Sequence, residues 1–148
     1  MNDDDVILVL LYKINTPISY TKLQKLTFLL KKETNIKLSL EFEPYKYGPF
    51  SSKIYELTEK LESNGLVSIS YTNGSFIRND NVRLIGITDR GRKIGDDVYN
   101  SMDIEVRDGF DNIIKRWGNE SLTALLLYTY LTYPETTKNS TITDKIVS

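Results

Sequence analysis

Any chemistry in this chain has to come from lysines, arginines, carboxylates and tyrosines, because the 148 residues include neither histidine nor cysteine. That removes the commonest general base and metal ligand together, and with them a catalytic triad, a thiol nucleophile and any disulfide. A zinc site would need carboxylates alone. Asp96 and Asp97, with Asp103, Glu105 and Asp108, could meet a hard cation, but they lack the spacing of a calcium-binding loop. A solvated acidic face is the simpler reading. Gly91 and Gly95 lack the lysine and hydroxyl partner of a phosphate-binding loop. The expectation is no enzyme, no metal and no cofactor.

The cations are arranged more suggestively. Lys22, Lys25 and Lys32 recur at spacings of three and seven with Lys31 beside them, a face that is either simply solvated or able to contact phosphates. Net charge is −1, yet charge is segregated. Residues 13–37 hold six lysines against Glu33, and residues 78–93 hold five cations against Asp80 and Asp89. Residues 96–111 hold six acids against Arg107. Such blocks can fold into a basic and an acidic face, or into one mixed surface.

The elements that must position these groups follow from periodicity and punctuation. Residues 4–14 form an apolar helix opened by aspartates, which suit the positive end of its dipole. Asn15-Thr16-Pro17 breaks it. Thr21 with Gln24 matches a capping box, opening a second helix to about Glu33 with Leu23, Leu26 and Leu30 on one stripe. Residues 36–43 alternate apolar and polar, which reads as a half-buried strand or an extended connector. Pro44 to Pro49 cannot be helical, and Gly48-Pro49 ends regular structure there.

Ser51 or Ser52 caps the next helix, with Ile54, Leu57 and Leu61 as its buried stripe and Asn64-Gly65 as its stop. Two strands follow, residues 66–71 and 82–87, joined by a turn at residues 72–75 and a loop to residue 81. Thr88 caps a helix reaching about Met102, weakened by Gly91 and Gly95. Residues 103–117 are amphipathic. Residues 120–133 are apolar on nearly every side, as a core helix or a subunit interface would be, and Pro134 ends them.

The predicted fold class is mainly α with a small antiparallel β hairpin (α+β), a winged helix-turn-helix with extra C-terminal helices. The chain reads as a single domain over residues 1–148: a winged-helix core (4–95), C-terminal helices (96–133) able to dimerise, and a tail (134–148). The acidic start is unlike a secretory signal, and the apolar run at residues 6–11 falls far short of the roughly 18–20 residues that span a bilayer. A cytoplasmic protein with no membrane contact is expected.

In a winged helix the third helix enters the major groove and the hairpin tip meets backbone or minor groove. On that reading the DNA-binding candidates are Ser51, Ser52 and Lys53 on the helix, Arg78 and Arg83 on the wing, and Lys22 and Lys25 at phosphates. Glu56, Glu59 and Glu62 on the reading helix oppose it, because carboxylates facing a groove repel the backbone. The motif Leu23-Gln24-Lys25-Leu26, then Tyr45-Lys46-Tyr47-Gly48-Pro49-Phe50, then Ile54-Tyr55-Glu56, resembles the Panacea-type, phage-associated family. Gly65-Leu66-Val67 through Thr88-Asp89-Arg90-Gly91 is similar to the wing and exit of MarR- and PadR-like regulators. Together the likeness covers about residues 18–95. It implies a regulator or an antitoxin-like partner protein.

Two functions are therefore expected. One is a small dimeric transcriptional regulator on double-stranded DNA, a homodimer through the C-terminal helices. The alternative is a winged-helix protein-interaction module, antitoxin or adaptor-like, that does not bind DNA. Its amphipathic anchors for a protein partner would be Tyr47 and Tyr55.

Overall fold

Six consecutive residues, Val6 to Leu11, lie buried on every side of the first helix, and this helix is the axis of the molecule. The structure, a computed structural model, describes residues 1–73 and 81–138. Helix α1 (Asp3–Ile14) starts in a reciprocal cap: the Asp5 amide donates to Asn2 Oδ1 at 3.0 Å and the Asn2 amide to Asp5 Oδ2 at 3.3 Å. It ends where Asn15 turns left-handed at φ 56°.

After Pro17 a two-residue strand β1 (Ile18–Ser19) leads straight into α2 (Tyr20–Glu33). The cap is Ser19, whose Oγ accepts from the Lys22 amide at 3.1 Å, rather than Thr21. The capping-box expectation fails for a definite reason. The Gln24 amide, which should reach back to the helix start, is spent on a distant backbone instead.

Residues 36–42 run as an extended connector outside any ladder, with Ile36, Leu38 and Leu40 turned into the core and Lys37, Ser39 and Glu41 turned out. The chain then forms a small hairpin, β2 (Glu43–Tyr45) against β3 (Gly48–Phe50), where the sequence suggested regular structure would stop. Gly48 makes the reversal possible with φ 88°.

Helix α3 (Lys53–Ser63) buries Ile54, Leu57, Thr58 and Leu61. Ser52 is its N-cap residue but makes no side-chain cap bond, and the Ser51 expected as an alternative cap is itself buried. The helix stops at Gly65 (φ 75°), with the Leu66 amide donating back to Leu61 O at 3.0 Å.

Strands β4 (Val67–Asn73) and β5 (Asn81–Ile87) pair antiparallel from Val67↔Ile87 to Asn73↔Asn81, and β1 joins the far edge of β5 to give the order β1-β5-β4. Three helices complete the described chain: α4 (Asp89–Asn100), α5 (Ile104–Trp117) and α6 (Leu122–Thr132), with a 3-10 turn at Pro134–Thr137. Helix α4 lies against α1, and α5 and α6 both lie against α2. The chain is thus mainly helical with small antiparallel sheets, an α+β protein. No helix among the described residues is long and apolar enough to cross a membrane.

The two glycines that weaken α4 are close-approach sites. A Cβ on Gly91 would lie 2.0 Å from the Leu66 carbonyl oxygen, and one on Gly95 would lie 2.8 Å from Tyr12 Cβ. Helix α6 is only partly a core helix. Leu125, Leu126, Thr129 and Tyr130 are buried, whereas Leu131 is 66% exposed.

Candidate interaction surface

The polar groups of α2 turn out to be fasteners. Gln24, 2% exposed, donates from Nε2 to Ser51 O at 2.9 Å and accepts from the Ser51 amide at 2.8 Å. Both backbone groups of a buried residue outside regular structure are thereby satisfied by one side chain. One position on, Lys25 donates from Nζ to Pro49 O at 3.1 Å and is also 2% exposed. A Cβ on Gly48 would approach Lys25 Cε to 3.1 Å, so the lysine stem packs directly beneath the turn. The adjacent Gln24 and Lys25 therefore hold the Gly48–Phe50 strand and the approach to α3 from below.

Burial pushes the Lys25 amine down to a pKa of about 7, because the charged form loses its water without gaining a carboxylate. This removes Lys25 from any surface that could meet a phosphate. Lys22 is half-buried and tied down. Its Nζ donates to Gly118 O at 2.8 Å and Glu120 O at 3.1 Å, at the link between α5 and α6, and burial lowers its pKa. Lys31 donates to the Leu40 carbonyl, and only Lys32 of this set is left exposed. The periodic lysine face is neither a simple solvated face nor a phosphate track. Lys22, Lys25 and Lys31 tie the link between α5 and α6, strand β3 and the connector at residue 40 to α2.

The remaining DNA candidates divide. Ser51 is buried and contributes no contact surface. Ser52 and Lys53 are exposed at the start of α3. Arg78 lies outside the described residues. Along the rest of α3, Glu56, Glu59 and Glu62 are all exposed, while Lys60 pairs with Asp4 at 2.5 Å. The outer face of this helix is acidic in balance.

Arg83 has the most specific environment of the set. Its guanidinium lies over the rings of Tyr20 (4.6 Å), Tyr55 (5.1 Å) and Tyr71 (6.0 Å). The cross-strand register Tyr71↔Arg83 brings one of those partners, and the adjacent ends of α2 and α3 bring the others. The rings continue beyond the arginine. Tyr20 stacks on Tyr55 at 5.1 Å, Tyr55 meets Phe50 at 5.8 Å, and Phe50 stacks on Tyr45 at 4.8 Å. Tyr20 is buried, its hydroxyl 2.7 Å from Thr58 Oγ1, and burial raises its pKa. Tyr55 and Phe50 are half-buried, and Tyr45 (45%) and Tyr71 (64%) stand exposed at the two ends.

The result is a strip of five aromatic rings and one guanidinium running from the hairpin of β2 and β3, past α3, to the β4–β5 ladder. Of the two tyrosines expected to anchor a partner, Tyr55 lies at its centre and Tyr47 is half-buried at the neighbouring turn. Sequence reasoning missed Tyr20, Tyr45, Phe50 and Tyr71. The cross-strand register alone could have paired Tyr71 with Arg83, but the others meet only through tertiary packing. No protein-family model matches this sequence, and no curated protein is similar to it.

Proposed function

We propose that this chain is a winged-helix protein-interaction module, adaptor- or antitoxin-like, that engages a protein partner through the strip from Tyr45 to Tyr71. The order α1–β1–α2–β2–β3–α3–β4–β5, a winged-helix order with a small hairpin inserted between α2 and α3 and with β1 on the outer edge of β5, supports the winged-helix reading of the core. The observation that carries the function is the strip itself. Tyrosine and arginine dominate the energetics of protein interfaces because each combines a large rigid apolar face with a polar edge. Here Tyr20, Tyr55 and Arg83 are packed against one another, so little of their side-chain entropy is lost on binding.

Duplex DNA is the second reading, favoured by the exposed Ser52 and Lys53 at the start of α3. It is the weaker one. Duplex affinity comes mainly from phosphate contacts, and two of the lysines proposed for them are bonded to backbone carbonyls instead. The exposed Glu56, Glu59 and Glu62 would confront the phosphates of any groove that α3 entered.

Two measurements separate the readings. A tagged chain purified from its own cells should retain one partner protein in stoichiometric amount, lost when Tyr45 and Tyr71 are both changed to alanine. A labelled random duplex should show no binding at physiological salt. Tight duplex binding that falls steeply with salt, unaffected by Tyr45→Ala with Tyr71→Ala, would instead establish the regulator reading.

A further inference from the structure

We infer that Arg83 is the receptor for a single carboxylate of the partner polypeptide, with the exposed tyrosines seating an apolar residue beside it. The inference rests on the protein-interaction reading above and specifies its chemistry. Among the described residues Lys13 pairs with Asp111, Lys60 with Asp4 and Arg92 with Asp89, while Arg116, like Arg83, lies over aromatic rings. Arg83 has aromatic rings instead, and its Nε is buried with no acceptor among the described residues.

A guanidinium on an aromatic platform keeps its charge, is weakly hydrated, and has its plane set in advance. With Nε buried, what it still offers is the edge formed by its two terminal Nη groups, a pair of N–H donors matched to the two oxygens of a carboxylate. Among the described residues the tyrosines thus do for Arg83 what an acidic partner does elsewhere, positioning the side chain without neutralising it. Tyr71 and Tyr45, the most exposed rings of the strip, offer flat faces for apolar side chains.

The surroundings select one carboxylate over a polyanion. Glu59 and Glu62 are exposed on the same helix as Tyr55, and Glu62 is close enough to Tyr20 to help raise its pKa. A nucleic acid or a highly acidic tail would set further negative charges against these glutamates. A segment with one aspartate or glutamate beside an aromatic or aliphatic residue would meet the cation and the rings together.

The test is selection of random dodecapeptides displayed on phage against the immobilised full chain, followed by fluorescence anisotropy with synthetic versions. The selected peptides should share an Asp or Glu next to an apolar residue. Replacing that carboxylate by its amide should weaken binding about tenfold or more. Arg83→Met should cost as much, and should cost nothing further against the amide peptide. Arg83→Lys should recover only part of the loss, because an ammonium lacks the fork.

Peptides whose binding is lost with Tyr45→Ala and Tyr71→Ala but is indifferent to the amide replacement would overturn the carboxylate receptor and leave the interaction strip standing. Peptides indifferent to the tyrosines and to Arg83, or none selected at all, would overturn both. The amide replacement probes the same contact without altering the protein, so a misfolded Arg83 variant cannot shield the inference.

Discussion

Lys25 carries its amine into a site from which water is excluded and finds one carbonyl there, that of Pro49. With the folded pKa near 7 and the unfolded chain titrating near 10.5, the unfolded state holds a proton that the folded state lacks between those two values. Stability contributed by this group therefore rises with pH across that window, with a slope approaching about 1.4 kcal/mol per pH unit. Below about pH 7 both states are protonated and the slope vanishes. Urea unfolding measured at intervals between pH 6 and 9.5 should show this rise in the native chain. In Lys25→Met the same series should be flat, apart from what other groups contribute to both proteins. An unchanged slope in the variant would place the titration elsewhere. Gln24 works by the same logic without charge, since its amide matches both backbone groups of Ser51 at once. In this chain the Gln24-Lys25 pair thus anchors the turn that ends in Gly48 and Pro49. Lysine periodicity on α2 was plain in the sequence, and its direction was not. Whether a lysine amine ends in water or on a carbonyl depends on what packs over the helix.

At the level of elements, α4 is held by contacts that only glycine permits. Thr88 caps it, accepting from the Gly91 amide at 3.0 Å while donating its own hydroxyl proton to Gly65 O at 2.7 Å. The turn that ends α3 and the start of α4 are thus joined by one hydroxyl. Gly91 sits directly under the Leu66 carbonyl, and Gly95 sits against Tyr12, whose hydroxyl donates to Asp96 Oδ1 at 2.5 Å. Gly91→Ala should destabilise by about 3 kcal/mol or more, since a methyl 2.0 Å from a backbone oxygen forces the β4 entrance and α4 apart. Gly95→Ala should cost less, about 1–2 kcal/mol, because the clash with Tyr12 Cβ is milder at 2.8 Å, needing only a small shift of α4 from α1, and alanine recovers some helix propensity. Chemical denaturation of the two variants tests the order. If Gly95→Ala were the worse, the packing of α4 on α1 would matter more than its junction with β4. The sequence showed these glycines as blemishes in a helix, because helix propensity is local and close approach is not.

For the molecule as a whole, α2 binds the C-terminal helices to everything before them. Lys22 reaches the link between α5 and α6, Glu33 Oε2 accepts the Tyr128 and Tyr133 hydroxyls at 2.6 and 2.7 Å, and Phe28 meets Tyr133 edge-on. Phe110, Ile113, Trp117 and Leu125 belong to the same core as α1. The chain should therefore unfold as one unit. Trp117, the only tryptophan, is buried in α5 and tilted against Tyr128 at 4.7 Å, so its fluorescence reports the C-terminal helices while far-UV circular dichroism reports all of them. The two denaturation curves should coincide. A tryptophan transition at lower denaturant would mean that α5 and α6 dock as a separate unit.

The sequence by itself determined the kinds and order of the longer elements: the buried first helix, the stripe of α3, the Gly65 stop, the β4–β5 pairing and the exclusion of histidine and cysteine chemistry. Each of these is set by residues near one another in the chain, through periodicity, capping and turn geometry. Tertiary structure alone decided which polar groups are available at the surface. It took Lys25 and Ser51 inside, bonded Lys22 to backbone carbonyls, left Glu56, Glu59 and Glu62 exposed, and gathered Tyr20, Tyr45, Phe50, Tyr55 and Tyr71 around or alongside Arg83. The reason is that a surface is assembled from segments far apart in the chain. The charge or ring a residue presents there depends on which unsatisfied carbonyls and which neighbouring faces the fold has already brought to it.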